Sequence, residues 1–140
     1  MTPVPIAALP TTDSLPNAAR AAAAQGQPLV VMTTLKGCPF CDVVRNNYLG
    51  PMQRDGQVHA IQIDMTDRTS ALTGFDGKPT TPAAQVTAWQ ARLAPTVLFL
   101  DRNGHELVER LRGVAVQEMF GAYLDMRLEA SRKLLASRPR

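Results

Sequence analysis

Cysteine, aromatic residues and long apolar runs are all scarce in this sequence. Only two of its 140 residues are cysteines, and aromatic residues make up 5%. The two cysteines, Cys38 and Cys41, would close too small a loop to stabilise a fold, so we assign them a chemical role. No apolar run approaches the roughly 18 to 20 residues that span a bilayer, so we predict no membrane insertion. With few aromatic residues, the core must be mainly aliphatic.

An excess of one charge is also missing. The formal net charge is +3, and the basic residues are dispersed except in the last nine positions. We therefore predict no nucleic-acid partner. With 45% hydrophobic residues, the chain can bury one core, which we assign to a domain at residues 14–135. An irregular leader at 1–13 precedes it, either the remainder of a removed signal peptide or a cytoplasmic start, and a frayed basic tail at 136–140 follows.

Hydrophobic patterning and turn residues predict alternating helices and strands. The apolar run at 29–35 is typical of a strand buried on both faces of a sheet. A helix that begins at Cys38 and ends by 50–51 leads to a strand at 58–64, so these two strands should be parallel. The other predicted elements are a helix at 14–24, a helix at 81–93, a strand at 96–100, an Asn-Gly turn at 101–104, a strand at 105–111 and a helix ending near 135. The predicted buried face of that last helix comprises Val116, Met119, Phe120, Tyr123, Leu124 and Leu128.

The two cysteines differ in their predicted exposure. Cys41, Val44 and Tyr48 share one apolar stripe of the helix, whereas Cys38 lies on its polar side. The N-terminus of a helix favours a thiolate, and Pro39 suits its first position. We therefore predict that Cys38 is the nucleophile of thiol-disulfide exchange and that Cys41 resolves the mixed disulfide.

Three motifs resemble the thioredoxin-like superfamily, and more closely the small bacterial periplasmic proteins of the SoxW and DsbC-related kind. The motifs are Gly37-Cys38-Pro39-Phe40-Cys41, Asp76-Gly77-Lys78 with Thr81-Pro82, and the segment from Ala94-Pro95 to Asp101 followed by Asn103-Gly104. The resemblance covers roughly residues 14–130. It implies an α/β thioredoxin fold, with a central four-stranded mixed sheet flanked by helices, here with an extra N-terminal helix.

The same resemblance implies an activity and its setting. Pro95 would match the cis-proline that faces the cysteine pair, and the backbone at Ala94 would pair with an extended substrate segment. The implied protein is a thiol-disulfide oxidoreductase that reduces or exchanges disulfides in partner proteins and needs no dissociable cofactor. A periplasmic location, a membrane thiol reductase as electron donor, and a sulfur-oxidation or cytochrome-maturation substrate would follow. Two departures are Gly37 and Met32, where a thioredoxin proper has a tryptophan and a buried acid.

Other interpretations remain open from the residues alone. The two thiolates could instead carry a soft metal such as Cu(I), which would make the protein a copper chaperone. Cys-Pro-Phe-Cys is also similar to the Cys-Pro-Tyr-Cys of glutaredoxins, which implies a glutathione-dependent reductase. Pro39 and Phe40, between the cysteines, are candidates for substrate contact, and packing is the alternative role of Phe40. The polar loop at 64–80 is either a partner-recognition segment or an insertion.

Overall fold

Helices and strands alternate around two completely buried strands. The computed structural model describes residues 9–113 and 117–138. The helices are α1 (Leu15–Ala24), α2 (Pro39–Val44), α3 (Gly50–Arg54), α4 (Pro82–Ala88) and α5 (Gln117–Ala136), with a π-helical turn (Arg45–Leu49) between α2 and α3. The strands are β1 (Leu29–Thr34), β2 (His59–Asp64), β3 (Leu72–Thr73), β4 (Pro79–Thr80), β5 (Thr96–Leu100) and β6 (Leu111–Arg112). None of the helices in the described residues is long and apolar enough to cross a membrane.

The central sheet has the order β2-β1-β5-β6. β1 runs parallel to β2 and antiparallel to β5, and β5 runs antiparallel to β6. This arrangement confirms the predicted four-stranded mixed sheet. Every residue of β1 is buried, because helices cover both faces of the sheet. Val30 and Met32 pack with residues of α2 and α5, while Leu29 and Val31 pack with residues of α1 and α4.

The helix that carries the cysteines continues past Gly50 and Pro51, so the predicted end at this pair is wrong. Pro51 has no N–H and would break an ordinary α-helix. The π-helical turn before it allows the Gly50 N–H to bond to the carbonyl of Arg45, five residues back. This wider turn accommodates the proline, and the helix ends only at Arg54.

The predicted strand at 105–111 is also wrong in its extent. After the turn, Leu100 lies opposite Glu106, yet Val97 lies opposite Leu111. Three steps along β5 therefore face five steps on the returning chain, so two extra residues bulge out of the ladder. Arg110 holds this bulge, since its guanidinium donates to the Glu106 carboxylate and to the Trp89 carbonyl. Regular pairing resumes only in β6.

The last two helices differ from their predicted forms. α4 ends at Ala88 rather than near 93, because Gln90 has a positive φ of 56° that no α-helix contains. In α5, Phe120, Leu124 and Leu128 are buried as predicted. Met119 and Tyr123 lie beside this i, i+4, i+8 stripe and are exposed, so their predicted burial is wrong. Val116, predicted on the same face, lies outside the described residues.

Segments outside the central sheet also pack against it. The predicted loop at 64–80 contains β3 and β4, which form a separate two-stranded sheet. Phe75, between those strands, lies against Gly104 of the β5–β6 turn. Near the N-terminus, Leu9 is 3% exposed, and the carbonyl of Pro10 accepts a hydrogen bond from the Gln62 N–H of β2. The chain therefore packs on the sheet already before α1.

Candidate functional site

Cys38 and Cys41 form a disulfide at the start of α2, with their Cα atoms 5.2 Å apart. The strand–turn–helix passage that places them there begins with β1 and includes Gly37, whose φ of +74° suits glycine. Cys41 is fully buried in the core next to the sheet, and Cys38 is half-buried. Since Cys38 is the more exposed sulfur, it is the one that another molecule can reach first.

The backbone around Cys38 favours a thiolate there. Cys38 is the N-cap residue of α2, with Pro39 at the first helical position. The Cys41 N–H donates a hydrogen bond to Cys38 Sγ at 3.1 Å. In the dithiol form, this N–H and the positive end of the helix dipole would both stabilise negative charge on Cys38 Sγ. The N–H groups that the start of a helix leaves without a backbone partner are sufficient to stabilise this thiolate.

Ala94 and Pro95 lie opposite the cysteine pair. The peptide bond between them is cis, and Cys38 Sγ is 3.9 Å from the carbonyl oxygen of Ala94. In the disulfide, Cys38 Sγ carries no proton, so this is a packing contact. After reduction, a Cys38 thiol could donate to the same oxygen. The structure thus brings together the two cysteines and the Ala94-Pro95 pair, which are 53 or more residues apart in sequence.

Two large apolar side chains near the sulfurs are exposed. Phe40, between the cysteines, is 46% exposed, and Leu93, next to Ala94, is 51% exposed. We predicted contact with substrate for Phe40 but did not single out Leu93. Its position directly before Ala94-Pro95 was the available signal. Leu93 also lies beside Gly113, where a Cβ atom would come within 3.0 Å of its Cδ2.

Arg45 is engaged away from the sulfurs. Its guanidinium donates to Gln62 Oε1 at 2.9 Å, to Asp42 Oδ1 at 2.9 Å and to Thr34 Oγ1 at 2.6 Å. Its side chain is only 17% exposed. These bonds fasten the helix, one turn after Cys41, to β1 and β2. At the position of the buried acid in thioredoxins, Met32 is completely buried and part of the apolar core.

The two histidines lie outside this arrangement. His59 belongs to β2, and His105, 80% exposed, faces Asp101 at the far end of β5. Within residues 9–113 and 117–138, no three His, Cys, Asp or Glu side chains are grouped as a metal site would need. A groove of about 320 Å³ is lined by Trp89, Gln90, Glu106, Val108, Glu109, Arg110 and Arg112. Neither cysteine lines it.

Comparison with models of protein families identifies the family of this chain. The family model of the thioredoxin-like domain matches residues 15–127, which include both cysteines and Ala94-Pro95. The chain belongs to the thioredoxin-like domain family. No curated protein sequence matches it significantly.

Solved structures agree with the thioredoxin-like fold. A poplar thioredoxin h mutant is 15% identical, with a TM-score of 0.58, over 98% of this chain and 92% of its own. Thioredoxin O2 from Arabidopsis thaliana in its oxidised state is 14% identical, with a TM-score of 0.55, over 86% of this chain and 96% of its own. Fasciola hepatica thioredoxin is 14% identical, with a TM-score of 0.53, over 84% and 98%. At these identities, the likeness concerns the fold.

Proposed function

We propose that this thioredoxin-like protein is a thiol-disulfide oxidoreductase that acts on disulfides of partner proteins. One observation carries the proposal: a half-exposed Cys38 at a helix start forms a disulfide with a buried Cys41, opposite Ala94-Pro95. A buried, inert pair would have no exposed sulfur. The exposed apolar side chains of Phe40 and Leu93 suit contact with a protein segment.

The proposed reduction has two exchange steps. The Cys38 thiolate attacks one sulfur of the target disulfide, forms a mixed disulfide and releases the other target sulfur as a thiolate, which takes a proton from water. Cys41 then loses its proton and attacks Cys38 Sγ, which releases the second target thiolate. The target gains two electrons, and the Cys38–Cys41 disulfide of the structure remains. A dithiol donor must reduce it again before the next turnover.

The substrate would dock on the Ala94-Pro95 segment. An extended target chain could pair with the backbone at Ala94, with its disulfide next to Cys38. Phe40 and Leu93 would cover its apolar side chains. No dissociable cofactor is required, because the redox group is the cysteine pair itself.

The setting of the reaction is part of the proposal. The resemblance to SoxW and DsbC-related proteins, carried by Asp76-Gly77-Lys78, Thr81-Pro82 and Asn103-Gly104, supports a periplasmic location. It also supports a membrane thiol reductase as the electron donor. The alternative location is the cytoplasm, where the protein would act as a thioredoxin-like reductant. Fractionation of cells and the identity of the donor in a reconstituted assay would distinguish the two.

Trapping tests the roles of the sulfurs. Cys41→Ser should accumulate a mixed disulfide between Cys38 and a target protein, visible on non-reducing gels and removed by dithiothreitol. Cys38→Ser is the matched control and should trap nothing. If Cys38→Ser traps a target and Cys41→Ser does not, the two roles are reversed.

The reduction potential of the pair would establish the direction of exchange. Equilibration with glutathione buffers should give a value near roughly −270 mV for a reductant of the thioredoxin type, or near roughly −120 mV for an oxidant of the DsbA type. Stoichiometric copper in protein purified under reducing conditions would instead support a metal carrier. A turnover that requires glutathione would support the glutaredoxin-like alternative.

A further inference from the structure

The hydrogen-bond ladder between β1 and β5 ends one residue before Thr33. Met32 lies opposite Val97, and the next residues in register, Thr33 and Thr96, no longer pair through their backbones. Instead, the Thr96 N–H donates to the side-chain hydroxyl of Thr33 at 2.8 Å. Both threonines are almost completely buried. The Thr33 hydroxyl therefore replaces a backbone acceptor at the place where the chain turns away from β1 toward Pro95.

The same hydroxyl also contacts the residue before Ala94. Thr33 Oγ1 donates to the Leu93 carbonyl at 3.4 Å, and the Thr96 hydroxyl donates to the same oxygen. On the opposite side, the Gly113 N–H donates to the Pro95 carbonyl at 2.7 Å. The peptide unit between Pro95 and Thr96 is thus held by β1 through its N–H and by the chain after β6 through its carbonyl. Ala94 lies between these fixed points.

We propose that Thr33 is a positioning residue that sets the Ala94-Pro95 segment against Cys38 for protein substrates. The inference rests on the proposed function, because it assigns a substrate role to that segment. Thr33 lies five residues before Cys38 on the strand that leads to it, so one strand end locates both halves of the site. A shift of the segment would alter the 3.9 Å spacing between Ala94 O and Cys38 Sγ.

Thr33→Val tests this role, because valine keeps the shape but has no hydroxyl. The Thr96 N–H would lose its partner in a buried position, and the segment would relax. We expect KM for a protein disulfide to rise about fivefold to tenfold, as the loss of one buried hydrogen bond implies, with a smaller change in kcat. The rate with a small aromatic disulfide, which does not pair with the backbone, should fall less. Thr33→Ser keeps the hydroxyl and should restore KM to within about twofold.

Thr34→Val is the matched control, with the same change at the next position of the same strand. Its hydroxyl accepts from Arg45 and does not contact the segment. It should lower stability, as measured by urea unfolding, and leave KM for the protein disulfide near the wild-type value. A KM rise equal to that of Thr33→Val would overturn the inference, since any loss of a threonine hydroxyl from this strand would then suffice.

The outcomes separate the inference from the proposed function. If the wild-type protein does not turn over protein disulfides, both the proposed function and the inference are wrong. Active wild-type protein with an unchanged KM in Thr33→Val would overturn the inference alone, as would failure of Thr33→Ser to restore KM. If Thr33→Val does not fold, Thr33→Ala decides, because alanine also lacks the hydroxyl but leaves room for a water at the Thr96 N–H. A KM rise of about twofold or more would support the inference, and no rise would overturn it.

Discussion

The two ends of the central strands have opposite characters. At one end, β1 leads to Cys38, and β5 begins after Pro95, with a half-buried sulfur facing the Ala94 carbonyl. We call it the cysteine end. At the other, β5 leads into the turn after Asp101, which is 4% exposed and accepts from the Asn103 and His105 N–H groups and from Arg138. We call it the hairpin end.

Stability and reactivity are therefore separated between the two ends of the sheet. At the hairpin end, polar groups satisfy one another, and Phe75 covers the glycine of the turn. The cysteine end exposes sulfur and apolar side chains to solvent. This exposure gives up the stabilisation that their burial would provide, but it allows contact with a partner. Variants of the two ends should therefore move different measurements.

The largest effect is expected from Cys38→Ser, at the cysteine end. A serine hydroxyl is not ionised at neutral pH, so disulfide reduction should fall below detection. The free energy of urea unfolding, compared with wild-type protein under reducing conditions, should change by less than about 0.5 kcal/mol. If Cys38→Ser keeps some turnover, and adding Cys41→Ser abolishes it, Cys41 can begin the reaction.

Gly104→Ala should have the largest effect on stability, at the hairpin end. Gly104 has a φ of +85°, and a Cβ there would lie 2.5 Å from the Phe75 ring. We expect a loss of about 2 to 4 kcal/mol from strain and overlap together, measured by urea unfolding, with an unchanged reduction potential. Gly77→Ala is the matched control, because Gly77 has a similar φ of +79° with nothing within 4 Å. It should lose only about 1 kcal/mol; equal losses would remove Phe75 from the explanation.

Asp101→Asn should have a smaller, pH-dependent effect. Burial raises the pKa of Asp101, but hydrogen bonds from Arg138 and from the His105 and Asn103 N–H groups outweigh it, so the pKa is below its ordinary value. The carboxylate therefore stabilises the fold above its unfolded pKa of about 3.9, and this contribution is lost as the pH falls through the lower folded pKa. At pH 7, we expect a loss of about 1 kcal/mol, since asparagine still accepts hydrogen bonds.

The pH series supplies the control for this prediction. Urea unfolding between pH 7 and pH 2 should show that the difference between wild type and Asp101→Asn shrinks below about pH 4. A difference that stays constant with pH would mean that the charge on Asp101 does not contribute. The rate of disulfide exchange at pH 7 should match wild type in both outcomes, if the two ends are independent.

Phe40→Ala should have the smallest effect. The side chain is 46% exposed and not part of the apolar core, so unfolding should change by less than about 0.5 kcal/mol. KM for a protein disulfide should rise about twofold to threefold through lost apolar contact. Phe40→Leu should recover most of it. A loss of stability with unchanged KM would assign Phe40 to packing instead.

Sequence reasoning predicted the elements that have strong local signals. The apolar run before Cys38, the Thr81 cap with Pro82, and the strand after Pro95 all appear within a few residues of their predicted limits. Their signals are periodicity, capping and proline, which act over a few residues. Two of the errors fall where a distant contact overrides the local pattern. The bulge at Arg110 depends on Trp89, 21 residues away, and the exposed Met119 and Tyr123 depend on how narrowly α5 meets the sheet.

The site divides in the same way. Local sequence determined that Cys38 caps a helix, that Cys41 lies on its apolar stripe, and that the two sulfurs therefore differ, because cap and stripe follow from residues only three apart. Only the tertiary structure decided what faces them. Ala94 reaches Cys38, and Thr33 reaches Leu93 and Thr96, through sheet pairing over about 60 residues. Such contacts depend on register and packing between strands, which no local pattern specifies.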